Sequence, residues 1–200
     1  MCGIAGFFNP NMNYKQEEAK WLHILNEMNA VQKRRGPDGE GTYLDSMCGL
    51  AHVRLAIIDL ITGQQPMVKK AGEQECAITF NGEIYNMAEL KKELLLEGAH
   101  FRTTSDTEVI LEGYLLHGKD YIKKLNGIFA IAIWNSSKKE LLLFRDRLGV
   151  KPLFYTLTDN TLVFASEIKG LFAYPTVTPI LDKDGLCEIF ALGPAKSYGR

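Results

Sequence analysis

No apolar run in these 200 residues reaches the roughly 18 needed to cross a bilayer. The amino terminus lacks the basic n-region and long apolar stretch of a secretory signal. A charge excess is missing too. The chain has 23 Lys and Arg against 24 Asp and Glu, a net charge of −1, so it offers no electrostatic footprint for nucleic acid or an anionic membrane. A cytoplasmic protein with neither of those partners is the expectation. Cysteine is sparse. Cys2, Cys48, Cys76 and Cys187 stand far apart with no C-x-x-C pair, which provides no zinc ligand set and, in a reducing compartment, no disulfide. The four histidines, His23, His52, His100 and His117, show no metal spacing and read as surface or satisfied residues. No metal site is predicted. Internal repeats and low-complexity segments are also missing.

What is present is an ordinary globular composition, 46% hydrophobic, at a length that suits one domain or two small ones. Residues 2–8 read as a strand. Trp21, Leu22, Leu25, Met28 and Val31 recur at helical spacing and predict a helix over 16–33. "RRGPDGEG" (34–41) is rich in Gly and Pro and reads as a loop. Residues 48–60 and 76–80 read as buried strands, with Cys48 and Cys76 as small core residues, and "TGQQP" (62–66) as a connection. Asn86 is placed to cap a helix ending near Gly98. Ser105 and Glu108 form a capping box that opens another, ending near Gly118. Four strands at 127–134, 140–146, 152–157 and 161–166, joined by short turns, predict antiparallel hairpins, and residues 167–172 a short helix. Together these elements indicate an α+β layered fold. After Pro175 the periodicity fades, and the chain reads as part of something longer.

Cys2 stands apart because of its place. Removal of Met1 would leave a thiol and a free α-amine on one residue. An α-amine has a reference pKa near 7.7–8.0 and a thiol near 8.5, so the amine is suited to act as base for its own side chain, directly or through a water. A thiolate formed this way attacks carbonyl carbon. The sequence also supplies the other parts such a nucleophile needs. "NGEIYN" (81–86) follows a buried strand, and the Asn81 amide with the Gly82 N–H would make an oxyanion hole. In isolation, Asn-Gly would first be read as a type I′ hairpin turn. Arg54 lies inside an apolar strand and needs an anionic partner, either a structural carboxylate or a ligand's. Asp106 at a helix start either complements the helix dipole or accepts a cationic amine. An α-amino acid with a reactive side-chain carbonyl satisfies all of these parts, and glutamine is the natural candidate.

"MCGIAGFF", "RRGPDGEG", "HVRLAIIDL", "GQQPM", "NGEIYN", "TSDTEVI", "LNGIFAIAIWN", "RDRLGVKPLFY" and "FASEIKGL" occur in an order and spacing that resemble the glutaminase domain of glutamine-hydrolysing asparagine synthetases. That domain belongs to the class II glutamine amidotransferases of the Ntn-hydrolase fold. The resemblance is dense over residues 2–172. It implies a four-layer αββα sandwich of two antiparallel sheets, an amidotransferase domain over 2–174, and a connector over 175–200 toward a synthetase domain not contained in the chain. It implies Cys2 as nucleophile with its α-amine as base, and Asn81 and Gly82 as the oxyanion hole. Arg54 would bind the glutamine α-carboxylate, with Leu55, Ala56, Ile57 and Ile58 lining the ligand. Glu83 and Asp106 would hold the ammonium, and Arg35 would lie in a loop closing near the site. The family often has His where Arg34 stands.

The implied partners are L-glutamine and a synthetase domain, with a homodimer as an assembly the family allows. The implied domain needs no cofactor, and ATP and Mg belong to the synthetase. No "SGGxDS"-like loop or G-x-x-x-x-G-K-[ST] motif is found, so the chain alone is not expected to make asparagine. Relatives with phosphoribosyl pyrophosphate, fructose 6-phosphate or oxoglutarate as acceptor remain alternatives, as does a non-catalytic module if Met1 is retained. "RDRLGVKP" (145–152) reads as a solvated ion-pair loop, or as a surface facing the partner domain.

Overall fold

The computed structural model describes residues 1–56, 63–72 and 74–193. One sheet contains β1 (Gly3–Phe8), β2 (Gly39–Leu44), β3 (Cys48–Arg54), β8 (Phe154–Thr158) and β9 (Thr161–Ala165) in the order β2-β3-β1-β9-β8. The other contains β4 (Met67–Ala71), β5 (Gln74–Ile84), β6 (Gly127–Asn135) and β7 (Glu140–Arg145) in the order β4-β5-β6-β7. All strand pairings are antiparallel.

The layers follow from the two-residue period of the strands. Ile4, Leu50 and Phe164 of the first sheet meet Ala77, Ala130, Ala132 and Trp134 of the second in one buried cluster between the sheets. The alternate residues face outward. Ala5, Phe7, Ala51, Val163 and Ala165 pack under α1 (Glu18–Gln32) and α4 (Ile168–Leu171) through Trp21, Leu25, Met28 and Leu171. Ile78, Phe80, Ile131 and Ile133 pack under α2 (Met87–Leu96) and α3 (Asp106–His117) through Leu90, Leu94, Ile110 and Tyr114. This is the expected αββα sandwich. Alanines at three inter-sheet positions bring the sheets close together, and Trp134 anchors the layer by donating from its indole Nε1 to Asp45 Oδ2 at 2.8 Å.

Several local expectations are corrected. The segment 34–41 is a loop only at residues 36–38, since Lys33–Arg35 forms a 3-10 turn. Gly39–Leu44 forms β2, paired to β3 from Gly39–Arg54 to Leu44–Gly49. A Cβ at Gly41 would strike the Gln65 carbonyl, so this glycine serves a close approach rather than a turn. Asn81 and Gly82 lie within β5 opposite Ala130 and Phe129, so the hairpin-turn reading fails. The Asn86 side chain makes no cap bond to α2. It donates to the Lys124 carbonyl and accepts from Asn126 N–H. Ser105 caps α3, but Glu108 does not close the box; its carboxylate accepts from Arg102 N–H and from Thr103 N–H and hydroxyl.

In "RDRLGVKP" Arg145, Arg147, Leu148 and Val150 are exposed as a solvated loop would have them, and the departure from that reading is Asp146. Asp146 is buried and accepts from the N–H groups of Phe129, Leu148, Val150 and Lys151. Burial raises the Asp146 pKa, but those four donors outweigh it and hold the carboxyl below the usual range. The loop thus crosses from β7 in one sheet to β8 in the other as a defined turn. Beyond Pro175 the described residues form one further helix, α5 (Lys183–Leu192), capped by Asp182, which the fading periodicity had not indicated. No helix among the described residues is long and apolar enough to cross a membrane.

Candidate active site

Cys2 directly precedes β1, the central strand of its sheet, and this fixes where its side chain emerges. Leu55, just beyond the end of β3, brackets the thiol. Its N–H donates to Sγ at 3.4 Å, and Sγ lies 3.6 Å from its carbonyl. Arg35 donates from Nε to the Cys2 carbonyl at 2.9 Å and pairs through Nη1 with Glu167 at 3.4 Å. Arg35 therefore holds the backbone of the nucleophile candidate and is absent from the cavity lining.

Cys2, Arg54, Leu55, Asn81, Gly82, Glu83 and Asp106 all line one cavity of about 110 Å³. β3 delivers Arg54 at its end. β5 delivers Asn81, Gly82 and Glu83 where it runs past the edge of β4. The amino terminus of α3 delivers Asp106. Ala56 sits beside this wall, its N–H bound to Asp38 Oδ2 at 2.9 Å. Ile57 and Ile58 lie outside the described residues.

Two groups carry a chemical signature. Asn81 is 2% exposed, and its Nδ2 is a buried donor without a hydrogen-bond partner among the described residues. Such a donor costs about 1–3 kcal/mol. A Cβ on Gly82 would run into the Ile128 carbonyl and lie 2.7 Å from the Phe80 ring, so no larger residue fits beside it. Asp106 is 7% exposed. Burial raises its pKa to about 6, with Glu83 adding to the rise, although N–H groups of Thr107 and Ile84 oppose it.

The structure also brings in residues the sequence reading did not single out. Gln65 lies in the segment read as a plain connection, and Thr107 and Lys151 also line the cavity. "GQQPM" was the available signal for Gln65. His52 corrects its reading as a surface or satisfied residue. It is fully buried between the sheets, bonds Thr79 through Nδ1 at 3.1 Å, and leaves Nε2 without a partner among the described residues. Burial, with Arg54 nearby, lowers its pKa to about 3, so it is neutral. No cluster of three or more metal-ligating side chains occurs among the described residues.

Residues 1–198 match the glutamine amidotransferase domain family. Among curated proteins, the chain is 39% identical over its whole length to asparagine synthetase [glutamine-hydrolyzing] 3 of Bacillus subtilis, and covers 32% of that protein. It is 43% identical over 98% of its length to asparagine synthetase [glutamine-hydrolyzing] 2 of the same organism, covering 26% of it. The chain therefore spans about a quarter to a third of these relatives. Among solved structures, the glutamine phosphoribosylpyrophosphate amidotransferase of B. subtilis superposes with a TM-score of 0.69 at 21% identity, over 86% of this chain and 43% of that one. That likeness concerns the fold. With the match spanning nearly every residue, the chain belongs to the glutamine amidotransferase domain family.

Proposed function

We propose that this chain hydrolyses glutamine to glutamate and ammonia with Cys2 as an amino-terminal nucleophile. The observation that carries this reading is the unpartnered Asn81 Nδ2 in the cavity that also receives Cys2. A buried donor with no partner among the described residues is preorganised for an oxygen that becomes negative during reaction.

The steps follow. Removal of Met1 frees the Cys2 α-amine, which takes the thiol proton. Sγ forms a bond to the side-chain amide carbon of glutamine, and the π-electron pair moves to oxygen, where Asn81 Nδ2 and Gly82 N–H receive it. Collapse of this intermediate expels ammonia with the proton carried by the amine. Water then attacks the thioester, glutamate leaves, and the thiol is restored. Arg54 pairs with the substrate α-carboxylate, and Asp106 with Glu83 takes the ammonium. The Arg35–Glu167 pair holds the Cys2 carbonyl while Sγ changes bonds. In the longer relatives' setting, the ammonia would pass to an ATP- and Mg-dependent synthetase portion that converts aspartate to asparagine.

Intact mass and glutamate release measured on one preparation test the reading. Protein lacking Met1 is expected to release glutamate. Processed protein without turnover or a covalent glutamyl adduct would refute it.

A pH dependence follows from Asp106. Its raised pKa means that the carboxyl is neutral below about 6 and charged above. Glutamine keeps its ammonium throughout, so binding strengthens as pH rises through about 6. Calorimetric titration of glutamine into the Cys2→Ala variant, which separates binding from chemistry, should show Kd rising about tenfold per pH unit below that point. Asp106→Asn should bind weakly and lose this limb. For folding the sign is opposite. The raised pKa contributes stability that is fully present below the unfolded value of 3.8 and lost as pH rises through about 6.

A further inference from the structure

β4 pairs with β5 from Ala71–Gln74 to Met67–Ile78, and there it stops. β5 continues beside β6 to Ile84. Past Ile78, one edge of β5 has no partner strand among the described residues, and this edge faces the cavity. N–H groups alternate sides along an antiparallel strand. Phe80 N–H points to the open edge, where it donates to Gln65 Oε1 at 2.6 Å. Phe129, opposite Gly82, exchanges its backbone bonds with Asp146. Gly82, two residues beyond Phe80, therefore directs its N–H to the open edge as well.

Gln65 fills the place of the missing strand. Its Oε1 satisfies Phe80, and its Nε2 donates to Thr107 Oγ1 at 3.1 Å, tying β5 to the start of α3 beside Asp106. The two open-edge donors lie roughly 6.6 Å apart along the strand, too far for one carbonyl over Cys2 to use both. With Phe80 occupied, Gly82 is the donor of this pair left for a ligand.

We infer that Gln65 sets the register of the substrate's side-chain amide. By occupying Phe80 N–H it leaves the carbonyl oxygen to seat on Gly82 N–H, next to Asn81 Nδ2 and over Cys2. The inference rests on the glutaminase reading. Gln65 acts through Phe80 and Thr107, so it is a positioning residue.

The test uses the Met1-free chain and 6-diazo-5-oxo-L-norleucine. The Cys2 thiolate bonds to the terminal carbon as dinitrogen leaves and a proton adds there, so a ketone oxygen remains where the amide oxygen would sit. In the free protein, amide exchange at Phe80 is expected to be slow and at Gly82 fast. In the adduct, the Gly82 amide should shift downfield and slow about tenfold or more, with Phe80 unchanged. Gln65→Met should lower kcat for glutamine about tenfold, as an impaired oxyanion site does. Inhibition by L-norvaline, which has the same α-carbon groups and no amide, should change less than about threefold. Absence of the adduct mass overturns the glutaminase reading and the inference with it. An adduct in which Phe80 responds, a kcat within about twofold of the parent, or parallel losses in kcat and norvaline inhibition overturn the Gln65 role alone. If Gln65→Met does not fold, the exchange pattern of the unsubstituted protein decides.

Discussion

Cys2→Ala is expected to abolish glutamate release, by about 10⁴-fold or more, without unfolding the protein. The scale follows from what is lost. The proposed path has one bond-forming atom, Sγ, and nothing else in the cavity offers a comparable nucleophile beside Asn81 and Gly82 among the described residues. Folding should survive because the Sγ contacts are with the Leu55 backbone, while the segment is held by Arg35 on the Cys2 carbonyl and by the β1 ladder. A Met1-retaining preparation should be as inactive as the variant, for a different reason: its α-amine is tied up in a peptide bond and the base is gone. Removing the methionine should restore that preparation and leave Cys2→Ala dead. Mass-verified preparations assayed side by side separate the cases. Turnover by Cys2→Ala within about tenfold of the parent would sink the mechanism.

Asn81→Ala should lower kcat by about 10²–10³-fold, or about 2.7–4 kcal/mol of transition-state stabilisation. KM should change much less, because the α-carboxylate and ammonium contacts are on other residues. Stability should move the other way or not at all. Nδ2 has no partner among the described residues, so truncation removes a donor that burial leaves unsatisfied. A folded, equally or more heat-stable and nearly inactive variant is thus expected. Melting temperature and steady-state kinetics on one sample check both halves. A variant that loses stability and activity together would mean that Asn81 serves the fold.

Elements with strong internal pattern were readable directly. β1, β6, α1 and the Ser105 cap of α3 were all visible because their side chains repeat with the period of the element or complete a local bond. β2 and β4 were missed. They are edge strands whose residue types do not alternate: Gly39–Leu44 carries two glycines, and in Met67–Ala71 Val68 takes an exposed position and Lys69 a half-buried one. Asn81–Gly82 shows local preference overruled. A dipeptide favoured in hairpin turns sits in a strand because Ala130 and Phe129 pair with it. Asp146 and His52 likewise took their character from depth in the fold rather than from their neighbours in sequence.

By itself the sequence determined the chemical inventory: a thiol at the second position, one Arg in an apolar strand, an Asn-Gly after another, and an Asp at a helix start. It also determined the family through the order of its motifs. Only the tertiary structure decided that these groups meet. Cys2, Arg54, Asn81 and Asp106 are separated by 25 residues or more, and no local rule brings them together. They converge because alanine-lined sheets pack face to face and β5 outruns β4, opening a strand edge where the amino terminus arrives. The same packing placed Arg35 beneath Cys2 and gave Gln65 the bonds of an absent strand, positions that depend on contacts across the fold.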